Sequence, residues 1–133
     1  MAEPAPLLLL DTSALLALRD DEPCAERVAT VLDGSNRRCL ACFMTRMEVL
    51  YRVWKDEGEA AGRLAHEQLV ALPLQWVECS DPLLELAGSL KALHTLSLAD
   101  AWIAAAALQV GATLLHKDPE FRGIEVLPQE WLG

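Results

Sequence analysis

The apolar residues of this chain fall into short runs of two kinds, and the alternation between them restricts the fold more than any other feature. Leu7 to Leu10 is a continuous apolar run of strand length, as expected for a strand buried on both faces. Helical spacing follows over Thr12 to Leu18 and Pro23 to Leu32, up to a stop at Gly34. Arg38 to Phe43 is a second strand-like run, followed by helical segments from about Thr45 to Asp56 and Glu59 to Leu72, divided at Gly58. Leu74 to Cys79 is a third strand. Ser80-Asp81-Pro82 then opens a helix through about His94, with proline at its first position, and Ser97 opens an alanine-rich helix ending at Gly111. Ala112 to His116 and Ile124 to Leu127 supply strands four and five, before a tail containing Trp131. Short apolar strands separated by helices predict an α/β fold of three layers, α/β/α, with a central parallel sheet of about five strands.

A length of 133 residues predicts one domain over residues 7–133, preceded by a short disordered leader over residues 1–6. That leader lacks the basic region of a signal peptide, and no apolar run approaches the roughly 18 residues of a membrane span, so the expected location is cytoplasmic. No internal repeat or linker interrupts the chain. Cys24, Cys39, Cys42 and Cys79 are expected as buried thiols, because a chain that is 53% hydrophobic needs no disulfide staples. Cys39-Leu40-Ala41-Cys42 has a redox spacing but lies in a strand, where positions three apart face opposite ways.

Acidic residues outnumber basic ones, 20 to 11, for a formal net charge of -9, which by itself argues against nonspecific nucleic-acid binding. Most of these acids sit on plainly polar stretches such as Asp20-Asp21-Glu22. Four do not. Asp11 closes the first strand directly after four leucines, and Asp118 lies two residues beyond the fourth. Glu48 and Asp100 occupy first turns of helices with apolar flanks. Each has a purely structural reading: Asp11 and Asp118 as N-caps, Thr45 with Glu48 and Ser97 with Asp100 as capping boxes, Glu48 with Arg52 as a helical ion pair. On a doubly wound sheet of order 3-2-1-4-5, however, all four approach the carboxyl ends of strands one and four, where such sheets bind ligands. Carboxylates 4 Å apart repel by about 4 kcal/mol per pair at an effective dielectric near 20, so their convergence calls for a cation. Oxygen donors without a His or Cys set favour Mg²⁺ or Mn²⁺ over zinc.

The stretches Leu7-Leu8-Leu9-Leu10-Asp11-Thr12-Ser13-Ala14-Leu15, Thr45-Arg46-Met47-Glu48-Val49-Leu50, Leu98-Ala99-Asp100-Ala101-Trp102-Ile103 and Gly111-Ala112-Thr113-Leu114-Leu115-His116-Lys117-Asp118-Pro119-Glu120-Phe121 together resemble the PIN-domain ribonucleases. The resemblance covers roughly residues 7 to 127 and is nearest to the VapC-like toxins of toxin–antitoxin modules. It implies hydrolysis of single-stranded RNA with Mg²⁺ or Mn²⁺ held by Asp11, Glu48, Asp100 and Asp118, leaving 5′-phosphate and 3′-hydroxyl ends. It also implies a cognate antitoxin laid along an apolar groove on the helices after strands one and two, and a homodimer of toxins. Ser13, Arg46, His116, Lys117 and Arg122 are candidate substrate contacts beside these motifs. His116 departs from the family pattern, which has Thr or Ser at that place. Two other readings stand beside this one: a PIN-like interaction domain with little catalysis, and a phosphatase using Asp11 as nucleophile, although the second aspartate such a loop wants is Ser13 here.

Overall fold

The computed structural model describes residues 6–34 and 38–133. Of the expected leader, residues 1–5 lie outside the described residues. In chain order the elements are β1 (Leu8–Leu10), α1 (Thr12–Arg19), α2 (Ala25–Asp33), β2 (Cys39–Cys42), α3 (Phe43–Glu57), α4 (Glu59–Val70) and β3 (Leu74–Val77). They continue with α5 (Asp81–Leu93), α6 (Leu98–Val110), β4 (Thr113–His116), a 3-10 turn (Pro119–Gly123) and β5 (Gln129–Trp131). The sheet has the expected order β3-β2-β1-β4-β5, and every neighbouring pair is parallel, as the alternation predicts.

The leucine run of β1 is continuous because it feeds two cores. Leu9 points to the layer of α5 and α6, packing with Leu83, Ile103, Ala104 and Leu114. Leu8 and Leu10 point to the opposite layer, where Ala14, Val28, Val49 and Leu69 come from α1 to α4. Burying one such leucine is worth roughly 1.5–3 kcal/mol. Cys39 and Cys42 divide between the two cores, confirming that their spacing in a strand holds them apart. Those two thiols are buried, but Cys24 is half-buried and Cys79 is exposed, just past the end of β3, which corrects the expectation of four buried thiols. Helix α6 is buried over Ile103 to Ala107. Its run of alanines lets the helix backbone lie close to the sheet, and Gly111 ends it in the left-handed conformation at φ 70°.

Two boundaries differ from expectation. The fifth strand is Gln129–Trp131, not Ile124 to Leu127. Ile124 and Leu127 are apolar because they plug the core from the loop after the 3-10 turn, while Val126 between them is exposed. The edge strand itself is polar and partly exposed, so it carries no strand-like apolar pattern. Helix α3 begins at Phe43, directly after β2, so Thr45 lies within the helix rather than at its cap.

Candidate active site

Strand order reverses between β1 and β4, since the chain leaves β1 toward β2 on one side and returns at β4 on the other. Asp11 sits at that point. Its N–H still donates to the Leu115 carbonyl at 3.1 Å, continuing the sheet, and its extended backbone makes it the N-cap of α1, accepting from the Ala14 N–H at 2.9 Å. Ser13 Oγ lies 2.7 and 2.8 Å from its two carboxylate oxygens and also accepts from the Lys117 N–H at 3.0 Å. This one hydroxyl therefore ties the end of β1 to the end of β4. Asp11 is only 2% exposed. Burial raises its pKa to about 7, with help from Asp118 and Glu48, against the lowering effect of Ser13 and Ala14.

Glu48 arrives from α3. Thr12 Oγ1 donates to its carboxylate at 2.6 Å and lies 3.0 Å from Thr45 Oγ1. Thr12 has a single proton, which goes to Glu48, so Thr45 is the donor in the second bond. Both threonines are buried. They form a relay that holds the Glu48 carboxylate against the start of α1, replacing the capping box expected for Thr45 and Glu48. Nor do Glu48 and Arg52 appear among the ion pairs of the described residues.

Asp100 lies in the first turn of α6, where its N–H donates to Ser97 Oγ at 3.1 Å, and only 8% of the residue is exposed. Its pKa is pushed up to about 9, first by burial, then by sharing hydrogen bonds with Glu120 and Asp118 and by their charges. Asp118 caps the 3-10 turn, accepting from the Glu120 N–H at 2.9 Å. Carboxylate oxygens of Asp100, Asp118 and Glu120 all lie within 4.8 Å of one another. Sequence reasoning missed Glu120. The only clue was its place in Asp118-Pro119-Glu120, where a proline-initiated turn brings acids two residues apart to one side.

Of the four expected acids, Asp100 and Asp118 come together with Glu120 within 4.8 Å, and Asp11 lies near enough to feel the charges of Asp118 and Glu48. Their donors are all oxygen, and the elevation of Asp11 and Asp100 comes first from burial, with neighbouring carboxylates adding to it. That chemistry fits a divalent cation.

The expected substrate contacts are placed less uniformly. Ser13 braces Asp11. Lys117 is ion-paired with Glu22, and Arg46 with Glu78 while its guanidinium also stacks on Trp76, 4.8 Å from the ring centroid. Arg122 stacks on Trp131 at 4.3 Å. A polar cleft of about 310 Å³ runs from Ser13 and Lys117 past Arg19 and Arg52. His116 does not face it. The residue is fully buried, its Nδ1 accepts from the Asp118 N–H at 3.2 Å, and its Nε2 therefore donates to Gln129 Oε1 at 2.8 Å. The ring packs edge-on against Phe121 and Trp131. His116 is a brace between β4, β5 and the Asp118 turn, which corrects its assignment as a substrate contact.

The raised carboxyl groups make stability depend on pH. Without metal, the stability they contribute is complete below their unfolded pKa near 3.8 and is lost as pH rises through about 7 for Asp11 and about 9 for Asp100. His116 works the other way: burial lowers its pKa, so it costs stability only as pH falls below its ordinary 6.5. Between pH 6.5 and 9 the carboxyl groups set the sign. Metal-free protein is expected to lose about 1–2 kcal/mol across that range, allowing for solvent screening at Asp100, and saturating Mn²⁺ should remove the loss. Thermal melts at several pH values measure this, and stability rising from pH 6.5 to 9 would contradict it.

Comparison with known proteins places these observations. A family model described as PIN domain matches residues 8–127. A comparison with curated protein sequences finds no match. Among solved structures, the fold is similar to VapBC-1 from nontypeable Haemophilus influenzae, with a TM-score of 0.74 and 24% identity over 95% of this chain and 98% of that one. It is similar to DNA-bound VapBC from Salmonella typhimurium, with a TM-score of 0.77 and 18% identity over 96% and 99% of the two chains. It is also similar to Mycobacterium tuberculosis VapC20, described as a Sarcin-Ricin loop cleaving toxin, with a TM-score of 0.73 and 15% identity over 89% and 95%.

Proposed function

The chain belongs to the PIN-domain family, and from that premise we propose that it is a divalent-metal-dependent endoribonuclease that cuts single-stranded regions of RNA as the toxin of a toxin–antitoxin pair. The observation that carries this reading is the cluster of Asp100, Asp118 and Glu120 carboxylates within 4.8 Å of one another beyond β4, with the charges of Asp118 and Glu48 also felt at Asp11. A bound Mg²⁺ or Mn²⁺ would supply Lewis acidity at the phosphate and acidify water for in-line attack. Asp11 and Asp100 would hold it directly, Glu48 directly or through water, and Asp118 at a second position. Ser13 and the Thr45–Thr12 relay keep the carboxylates of Asp11 and Glu48 from turning away. The similar structures, VapBC assemblies and a Sarcin-Ricin loop cleaving toxin, support the same reading.

A phosphatase acting through Asp11 fits poorly, because the second aspartate such a loop wants is Ser13, whose hydroxyl hydrogen-bonds to the Asp11 carboxylate instead. Partner binding complements catalysis here. An apolar groove of about 170 Å³ between α1, α3 and α4, lined by Leu15, Leu16, Val49, Ala65 and Leu69, suits an apolar antitoxin segment. A second copy of the chain would cover the outer faces of α5 and α6, where Leu84 and Leu98 are exposed. No helix among the described residues is long and apolar enough to cross a membrane.

The test is incubation of purified protein with single-stranded RNA in Mn²⁺ or in EDTA. Cleavage only with Mn²⁺, leaving 5′-phosphate ends, is expected; cleavage in EDTA, or 2′,3′-cyclic phosphate ends, would contradict the reading. RNA affinity is expected to be weak because the chain carries a net charge of -9 and Lys117 and Arg46 are each paired with a glutamate. Glu22→Gln and Glu78→Gln, which free Lys117 and Arg46, should each tighten RNA binding about threefold at low salt. Each should also steepen the salt dependence by about 0.7 in log–log slope. Unchanged slopes would remove both cations from the substrate path.

A further inference from the structure

Ser97-Leu98-Ala99-Asp100 has the spacing of a capping box, in which the fourth side chain reaches back to the N–H of the first residue. Only half of the box is made locally. Ser97 Oγ accepts from the Asp100 N–H, but the Ser97 N–H donates to Glu120, 23 residues away, at 3.1 Å. Glu120 is held for this by its own N–H, which donates to Asp118 Oδ1 in the 3-10 turn. The carboxylate of Asp100 is left among the acids instead, within 4.8 Å of Asp118 and Glu120.

We propose that Glu120 is a positioning residue which completes the cap of α6 from across the cleft and so keeps the Asp100 carboxylate in the acidic cluster. The proposal deepens the metal-dependent reading above and rests on it for its functional consequence. An unpaired N–H at a helix start attracts a nearby carboxylate. Without Glu120, the nearest carboxylate able to answer Ser97 is that of Asp100, which would fold back onto its own helix and leave the site.

Two measurements test this together: Mn²⁺ affinity by calorimetry for the wild type, Glu120→Ala and Glu120→Gln, and hydrogen exchange at the Ser97 amide in metal-free protein. Glu120→Ala is expected to weaken Mn²⁺ binding about tenfold, within the range for residues that orient ligands. Glu120→Gln should restore it, since an amide oxygen also accepts from Ser97. The Ser97 amide should stay protected in Glu120→Ala, because Asp100 takes over, and lose protection only when Asp100→Ala is added. Binding as weak in Glu120→Gln as in Glu120→Ala would overturn the proposal, making Glu120 an ion ligand through its charge. Unchanged binding in Glu120→Ala, or loss of Ser97 protection in that variant alone, would also overturn it. A wild type that binds no Mn²⁺ would defeat the metal-dependent reading, while the exchange pattern would still decide what Glu120 does.

Discussion

Asp11→Asn and Asp100→Asn are each expected to lower Mn²⁺-dependent RNA cleavage at least a hundredfold, on the order of 3 kcal/mol or more of lost transition-state stabilisation. The fold should survive both changes. Asn caps a helix about as well as Asp, and at position 11 its side-chain oxygen can still accept from the Ala14 N–H that now binds the carboxylate. Both native groups are also raised toward their neutral forms, Asp11 to about 7 and Asp100 to about 9. A neutral amide therefore costs the metal-free protein little, and at pH 8 it should match or exceed the wild type in thermal stability. Activity lost without stability lost separates the site from the scaffold. Full activity in both variants, measured on the same RNA and at the same Mn²⁺ concentration, would remove these residues from the chemistry.

The largest effect on stability is expected at Phe121. This ring is fully buried in the 3-10 turn, 4.9 Å centroid to centroid from His116, and the Phe121 carbonyl accepts from Gln129 Nε2 at 3.0 Å. Phe121→Ala should cost about 3–5 kcal/mol, the usual range for emptying a large buried aromatic position. Its consequence is not confined to stability. The turn it anchors presents both Asp118 and Glu120, so Mn²⁺ affinity should fall in parallel in protein that remains folded. Phe121→Leu should recover most of the stability. Chemical denaturation of the three proteins measures the effect, and a loss under 1 kcal/mol in Phe121→Ala would mean that the turn is not held from within the core.

How much of this was legible in the sequence follows from which interactions are local. The parallel sheet could be read because β1, β2 and β4 are buried on both faces and therefore appear as unbroken apolar runs. β5 could not, because an edge strand of Gln129, Glu130 and Trp131 has no core-facing pattern to betray it. Ile124 and Leu127 imitate a strand while serving as core plugs. The proposal for the four acids came from their odd positions at strand ends and helix starts. The capping readings were partly correct as well: Asp11 and Asp118 both cap, and Ser97 accepts from Asp100. Capping and site membership are compatible because one oxygen can serve each purpose. What lay beyond the sequence was long-range: the Thr45–Thr12–Glu48 relay spans more than 30 residues, and Glu120 meets Ser97 across 23. The role of His116 stayed open for the same reason, since only the arrival of Gln129 and Trp131 beside it turns a strand-end histidine into a buried brace.

The central claim is that these carboxylates gather to hold a divalent cation. It is tested most directly by crystals grown with Mn²⁺ and measured at the manganese absorption edge. An anomalous peak among the carboxylates of Asp11, Asp100 and Asp118, absent from Asp100→Asn crystals prepared alike, is the predicted result. A wild-type cluster with no peak at saturating Mn²⁺, or a peak that persists unchanged in Asp100→Asn, would contradict it.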